Sequence, residues 1–230
     1  IEGARSAGAT EFVVCDSHSH MQNIVPDLLD ADARLVRGAI RDSLQMQGID
    51  AGFDALFVTG THAAAGTERA VLDHTWVGKS VYNIRINGRT LNEAALNALT
   101  AARHGVPFAL VTGDEVTAAQ TREVHPDVEA AIVKWSYSRF CASSLHPARA
   151  RDEIRAAAAR AIGRLPELKV AQVPSTLTME VDFISTDMAD AACLVPGVER
   201  LAARTIAFTG DPDTVFRLQE LLLYRLIYSL

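Results

Sequence analysis

The segment Leu91–Val124, LNEAALNALTAARHGVPFALVTGDEVTAAQTREV, decides the fold class of this chain. Residues Phe108–Thr112 form a continuous apolar run, which is typical of a strand buried on both faces of a parallel sheet. Helical periodicity precedes this run over Leu91–His104 and follows it over Glu115–Val124, and Gly105 separates the first helix from the strand. A helix, a buried strand and a second helix in succession predict an α/β fold.

The same alternation of strand and helix continues in both directions along the chain. Further strands are predicted at Phe12–Cys15, Ala55–Thr59, Val81–Ile86, Ala130–Lys134, Thr176–Phe183 and Thr205–Thr209, and further helices at Pro147–Arg164, Met188–Leu194 and Asp213–Leu226. We therefore expect a largely parallel or mixed central sheet flanked by helices on both faces. Residues 1–230 are predicted to form a single catalytic unit, in which residues 165–230 could make a smaller C-terminal lobe.

Composition narrows the class of protein. The chain is 49% apolar and 22% charged, and its formal net charge of −6 argues against nucleic-acid binding, which needs a clustered excess of Lys and Arg. The most apolar long segment, Val215–Leu230, contains charged residues, so we expect an amphipathic helix and no membrane span. An odd number of cysteines without C-x-x-C spacing suits a reducing compartment, which predicts a cytoplasmic protein.

Imidazole and carboxylate side chains stand at positions where α/β enzymes carry their sites. His18 and His62 each follow a predicted strand, His74 lies in VLDHTW, and Glu93 lies near the start of a predicted helix. The carboxyl ends of strands meet at one edge of an open α/β sheet, so these side chains can converge although they are distant in sequence. Imidazole and carboxylate are ligands that suit Zn²⁺ with an open position for water, and the four residues form a candidate metal site.

The sequence contains no compact zinc motif such as H-E-x-x-H, so spacing alone is weak evidence for a metal site. Structural roles for the same residues are therefore weighed beside it. His18 could belong to a surface turn, and Glu93 could be the capping-box partner of Thr90. His62 is harder to explain as structural, since the small residues around it let the backbone approach a ligand closely. Cys15 is a rival nucleophile, but its place in an apolar strand indicates a buried, inert thiol.

Four short motifs that occur in a fixed order along the chain give a further indication of its function. DSHSHMQN (residues 16–23), GTHA (60–63), the DH of VLDHTW (73–74) and INGRTLNEAALNA (86–98) occur in this order along the chain. They resemble the motifs D-S-H-S-x-M-x-N, G-x-H-A, S-H-S/T and I-N-x-x-x-x-x-E-x-x-x-N-A of the D-aminopeptidase family of zinc peptidases, the M55 group. Further along, VTGDE, AAIVKWSYSR, LHPARA and LVPGVER continue the same order, so the resemblance covers nearly the whole chain.

The resemblance implies two zinc ions per subunit and assigns roles to individual residues. His18, His62 and Glu93 are implied as metal ligands, and His74 as the catalytic residue. Ile1-Glu2-Gly3 is similar to the end of the family's D-x-E-G motif, which makes Glu2 a further candidate ligand. Asp16, two residues before His18, is a candidate for a side chain that orients the site.

The connection between Gly3, the end of the D-x-E-G-like tripeptide, and the predicted strand at Phe12 is short. If Ile1 ended a parallel strand, GARSAGAT would be the whole crossover to Phe12, although a parallel crossover needs a dozen or more residues. We therefore expect residues to be missing before Ile1 and between Gly3 and Ala4.

The function implied by the resemblance is hydrolysis of short peptides, in particular those that contain D-amino acids, by attack of a metal-activated water on the amide. The resemblance also implies a large ring-like homo-oligomer, for which a decamer is the working expectation. Two alternatives stay open at this point: a metal-dependent amidase that acts on a non-peptide small molecule, and a catalytically silent metal-binding oligomeric scaffold.

Overall fold

The computed structural model describes residues 1–226, which form strands and helices in alternation. The strands are β1 (Phe12–Cys15), β2 (Ala33–Val36), β3 (Leu56–Val58), β4 (Val81–Ile86), β5 (Arg89–Thr90), β6 (Phe108–Asp114), β7 (Glu129–Ser138), β8 (Cys141–Ser144), β9 (Leu177–Phe183), β10 (Glu199–Ala202) and β11 (Thr205–Gly210). The helices are α1 (Glu2–Ser6), α2 (Glu93–Ala102), α3 (Glu115–Arg122), α4 (Pro147–Gly163), α5 (Thr186–Ala192) and α6 (Pro212–Gln219), and α6 continues as a π-helix over Glu220–Leu226.

The strands are distributed over three sheets. In the order β3-β6-β7-β8, the first three strands run parallel and β8 is antiparallel to β7. A second sheet, β10-β11-β9-β4-β5, is antiparallel, and β1 pairs with β2 in parallel. The predicted α/β class with a mixed sheet is confirmed. The structure adds that β9 of the C-terminal region pairs with β4 from the middle of the chain.

Helix α2 lies between the two large sheets and is buried on nearly all sides. Its Ala94 and Ala98 share an apolar core with β3 and β6, whereas its Ala95 and Leu96 share another core with β4 and β9. A helix with apolar residues on all its sides is expected to be covered by neighbouring elements on all its sides. This burial fixes the start of α2, where Glu93 stands.

The opposite face of the four-stranded sheet is covered by α4. Ala109 and Leu110 of β6 share a core with Ala157, Ala158 and Ala161 of α4. The prediction of helices on both faces is thereby confirmed for this sheet. The small side chains let the α4 backbone come close to the strands, where dispersion contacts accumulate.

The N-terminal residues form a helix that packs on α4. Residues Glu2–Ser6 are helical, and Gly3 and Ala4 are consecutive buried residues of this helix. Ile1 therefore does not end a strand, and the turn from α1 into β1 needs no parallel crossover. The expectation that residues are missing between Gly3 and Ala4 stays a prediction; in this structure a helix precedes β1.

Replacing Gly3 by Ala should destabilise the protein although Ala is the better helix former. A Cβ at Gly3 would lie 2.1 Å from the backbone carbonyl oxygen of Arg155 in α4, so α1 or α4 would have to shift. We expect a loss of about 1–3 kcal/mol in the free energy of unfolding, measured in urea.

Gly163→Ala is the matched control, because Gly163 is also helical and a Cβ there would have nothing within 4 Å. It should leave stability unchanged or raise it by up to about 1 kcal/mol. If Gly3→Ala were as stable as Gly163→Ala, the packing of α1 on α4 described above would be wrong.

The C-terminal residues 227–230, part of the apolar segment that begins at Val215, lie outside the described residues. Over the described residues, none of the helices combines the length and apolar character needed to cross a membrane.

Candidate metal centre

Three side chains from distant parts of the sequence meet at the start of α2. The Nε2 atom of His62 lies 3.5 Å from Oε1 of Glu93, and Nε2 of His74 lies 4.0 Å from the same oxygen. The two imidazole rings are stacked, with centroids 3.8 Å apart and planes 20° from parallel. One donor atom from each residue lies within 4.8 Å of the others, so the three could share one metal ion.

Backbone carbonyls decide which imidazole nitrogens are available. Nδ1 of His62 is 3.1 Å from the carbonyl oxygen of Ala63, and Nδ1 of His74 is 2.6 Å from that of Leu72. A carbonyl can only accept, so each Nδ1 carries the proton that it donates. In the neutral imidazole the lone pair then lies on Nε2, the atom that faces Glu93 in both residues.

The Glu93 carboxylate is held from two sides. Its Oε1 accepts the backbone N–H of Trp76 at 2.9 Å, and its Oε2 accepts from Nε2 of Gln45 at 2.7 Å. The side chain is only 8% exposed, so these hydrogen bonds replace water around the carboxylate. Glu93 is also the first residue of α2, where the helix dipole favours negative charge.

The capping-box interpretation of Glu93 is wrong. The N-cap residue of α2 is Asn92, whose side chain accepts the N–H of Ala95. Thr90 lies in β5, and its hydroxyl contacts Asn83 on the paired strand β4. The Glu93 side chain is therefore free of a capping role and points to the histidines.

The position of His62 follows from the way its loop lies against β6. The N–H of Gly60 donates to Oγ1 of Thr112, and the N–H of Thr61 donates to the Thr112 carbonyl. Gly113 makes this approach possible, because a Cβ there would be 2.7 Å from the carbonyl oxygen of Thr61. The glycine of VTGD is thus a close-packing position beside the site.

The loops that carry His62 and His74 are joined to each other. Asp73 accepts the N–H of Gly66 at 2.8 Å, and the buried hydroxyl of Thr75 accepts the N–H of Ala65 at 3.1 Å. These bonds flank His74 in sequence and keep its loop in register with the loop of His62. The stacked imidazoles are therefore fixed by main-chain contacts on both sides.

The donor set fits a zinc ion. Zinc bound at about 2.0–2.1 Å by tetrahedral ligands holds its donor atoms about 3.3 Å apart. The separations of 3.5 and 4.0 Å from Glu93 Oε1 need only small side-chain adjustments to meet this requirement. His62 and His74 are 20% and 26% exposed, which leaves an approach for a ligand from solvent.

His18 is not part of this cluster. Its side chain is exposed, and it stands in the loop after β1, whose shape is set by Asp16. Burial opposes ionisation of Asp16, yet the N–H groups of Ile24 and Asn23 donate to its carboxylate and lower its pKa below the ordinary value. Asp16 therefore orders the loop that carries His18 and makes no hydrogen bond to the three clustered side chains.

Glu2 is not brought to the cluster either. Its carboxylate is 70% exposed and pairs with Arg155 of α4 at 2.7 Å. In this structure Glu2 belongs to helix α1, which packs on α4, so its assignment as a ligand stays a prediction.

The thiol of Cys15 is not set up as a nucleophile. Burial raises its pKa, and the nearby Arg41 guanidinium, which donates to Sγ at 3.0 Å, opposes this only in part. A thiol with a raised pKa stays protonated at neutral pH and reacts poorly.

Sequence reasoning missed the residues that support Glu93. Gln45 lies in a short 3-10 turn (Leu44–Met46) between β2 and β3, where the sequence carries no motif. Asn97, one turn after Glu93 in α2, donates to Oε1 of Gln45 at 2.6 Å. Asn97 is the N of the E-x-x-x-N-A part of the motif quoted above, but the motif gave it no role, whereas no sequence signal pointed to Gln45.

Comparisons with known proteins identify the family of this chain. A protein family described as peptidase M55, D-aminopeptidase, matches residues 1–221. A D-aminopeptidase of Bacillus subtilis (strain 168) is 32% identical over 209 residues, which span 90% of this chain and 76% of that protein. A solved structure, "Zn-dependent D-aminopeptidase DppA from Bacillus subtilis, a self-compartmentalizing protease", matches with a TM-score of 0.94 at 29% identity, covering 99% of this chain and 83% of that one. This chain therefore belongs to the M55 family of D-aminopeptidases.

Proposed function

We propose that the protein is a zinc-dependent aminopeptidase that hydrolyses short peptides containing D-amino acids. The observation that carries the proposal is the convergence of the Nε2 atoms of two imidazoles on one buried carboxylate, in a chain of the M55 family. A relative with the same fold is described as a Zn-dependent D-aminopeptidase, which supports zinc as the metal.

In this proposal His62 and Glu93 hold the zinc ion, and His74 transfers protons. Bound zinc supplies a nucleophilic water at neutral pH and polarises the peptide carbonyl. Nε2 of His74 carries the lone pair and can accept a proton from the attacking water, then donate it to the leaving amine. The carbonyl of Leu72 on Nδ1 holds the imidazole in this tautomer and stabilises the imidazolium that forms.

A second zinc ion per subunit requires more donors than the three clustered ones. We keep His18 as its candidate ligand, since the carbonyl of the preceding Ser17 lies 3.4 Å from Nε2 of Gln45, which also contacts Glu93. Elemental analysis of the purified protein should give two zinc ions per chain, and His18→Ala should reduce that number to one. An unchanged zinc content in His18→Ala would remove His18 from the site.

We further propose a homo-oligomer, since the structural relative is described as self-compartmentalizing. Exposed aromatic side chains on β7 and its turn to β8, among them Tyr137 and the 81% exposed Phe140, offer apolar area for contact between copies. The hairpin is joined to the His74 loop through the N–H of Leu72 and the carbonyl of Arg139. Light scattering after size exclusion should give the mass of a decamer; the mass of a single chain would contradict the proposal.

The function is tested with matched substrates. Zinc-loaded protein should hydrolyse D-Ala-D-Ala faster than L-Ala-L-Ala, and should not hydrolyse an N-acetylated D-dipeptide, which lacks the free amine. Hydrolysis of acetamide-type amides with no peptide turnover would favour an amidase of non-peptide molecules. Zinc binding without any hydrolysis would favour a silent scaffold.

A further inference from the structure

We infer that Gln45 is a positioning residue that fixes the Glu93 carboxylate for metal binding, an inference that rests on the proposed function. Gln45 is 8% exposed and stands in the 3-10 turn between β2 and β3, outside the segments that carry His62, His74 and Glu93. Its carboxamide joins two separate segments: it contacts the loop after β1 through Ser17, and two successive turns of α2 through Glu93 and Asn97.

The orientation of this carboxamide is determined by its partners. Nε2 faces two groups that can only accept, the Glu93 carboxylate at 2.7 Å and the Ser17 carbonyl at 3.4 Å. Oε1 faces the Nδ2 donor of Asn97 at 2.6 Å. Turning the amide over would place acceptor against acceptor at Glu93 and Ser17, and donor against donor at Asn97. The amide is therefore held in one orientation, with its donor on Glu93.

This hydrogen bond decides which oxygen of Glu93 is presented to the histidines. Oε2 is occupied by Gln45, and Oε1 faces Nε2 of His62 and of His74. The N–H of Trp76 on Oε1 fixes the plane of the carboxylate from the other side. Without Gln45 the carboxylate can rotate about its last side-chain torsion, which is broad, and its fit to the imidazoles is lost. Partners of this kind typically change metal affinity by about 10–100-fold.

The experiment compares Gln45→Met with Gln219→Met. Both replace a buried carboxamide by a thioether of similar shape, but Gln219 lies in α6, and neither of its amide atoms has a hydrogen-bond partner among the described residues. Zinc affinity is measured by chelator competition, and the visible absorption of the cobalt(II)-loaded protein reports the coordination of the metal. We expect Gln45→Met to lose zinc affinity by about 10–100-fold and to change the cobalt spectrum, with Gln219→Met unchanged in both.

A second variant protects the test against misfolding. Gln45→Asn keeps a polar amide in the pocket but withdraws it by one methylene, so it should also lose zinc affinity and alter the cobalt spectrum. Wild-type zinc affinity and spectrum in the folded Gln45 variants would overturn the inference, as would an equal loss in Gln219→Met. Loss of zinc in Glu93→Gln together with full retention in Gln45→Met would refute the role of Gln45 alone, whereas retention in Glu93→Gln would refute the metal centre itself.

Discussion

Glu93→Gln should release zinc and abolish hydrolysis, although it changes only one atom of the side chain. The carboxylate accepts from Trp76 at one oxygen and from Gln45 at the other, so an NH₂ group at either position would face a donor. Removing the charged partner from a buried ionic site costs about 3–5 kcal/mol. This corresponds to a loss of zinc affinity of about a hundredfold to several thousandfold.

The measurement is chelator competition for zinc, followed by turnover of a D-dipeptide at saturating zinc. Glu115→Gln is the matched control, because Glu115 also begins a helix, α3, and also accepts a backbone N–H, that of Ser136. It should bind zinc as the wild type does. A Glu93→Gln protein with wild-type zinc affinity would exclude Glu93 as a ligand.

His74→Ala should retain zinc and lose turnover, whereas His62→Ala should lose both. The prediction separates two imidazoles that are stacked 3.8 Å apart and both face Glu93. Proton transfer by a positioned side chain contributes typically about 10²–10⁴-fold to the rate, so kcat should fall by about that factor in His74→Ala. Zinc content is read by elemental analysis and kcat from hydrolysis of a D-dipeptide.

Added imidazole tests whether the lost kcat of His74→Ala is due to the missing imidazole. The His74 side chain is 26% exposed, so small molecules can reach the space that it leaves, and exogenous imidazole should restore part of the lost kcat. No such rescue is expected in His62→Ala. If His74→Ala released zinc to the same extent as His62→Ala, His74 would be a ligand and not the proton-transfer residue.

Local signals in the sequence account for much of the fold. The buried run at β6 and the helices on either side of it are visible because apolar periodicity and helix-end signals are local properties. The start of α6 follows a local signal of the same kind, because its N-cap Asp211 accepts the N–H of Thr214. The strand β2 was missed because Ala33–Val36 is short and includes the exposed Arg34, and so shows no clear apolar pattern.

The sequence by itself also determined which kinds of side chain are candidates for the centre. His62, His74 and Glu93 could be chosen from residue type and from their places after strands or at a helix start, and these three are brought together. The roles of these residues as ligands and as a proton carrier stay predictions, which the variants above test.

Only the tertiary structure decided which candidates meet and what holds them. Glu2 resembles part of a ligand motif, but in this structure it stands in α1, which packs on α4, and its carboxylate pairs with Arg155 and does not reach the cluster. The division of the strands into three sheets, with α2 buried between two of them, depends on pairings between residues far apart in sequence. Gln45 shows the same limit at the site: its hydrogen bond to Glu93 joins residues 48 positions apart, and no local pattern encodes such a contact.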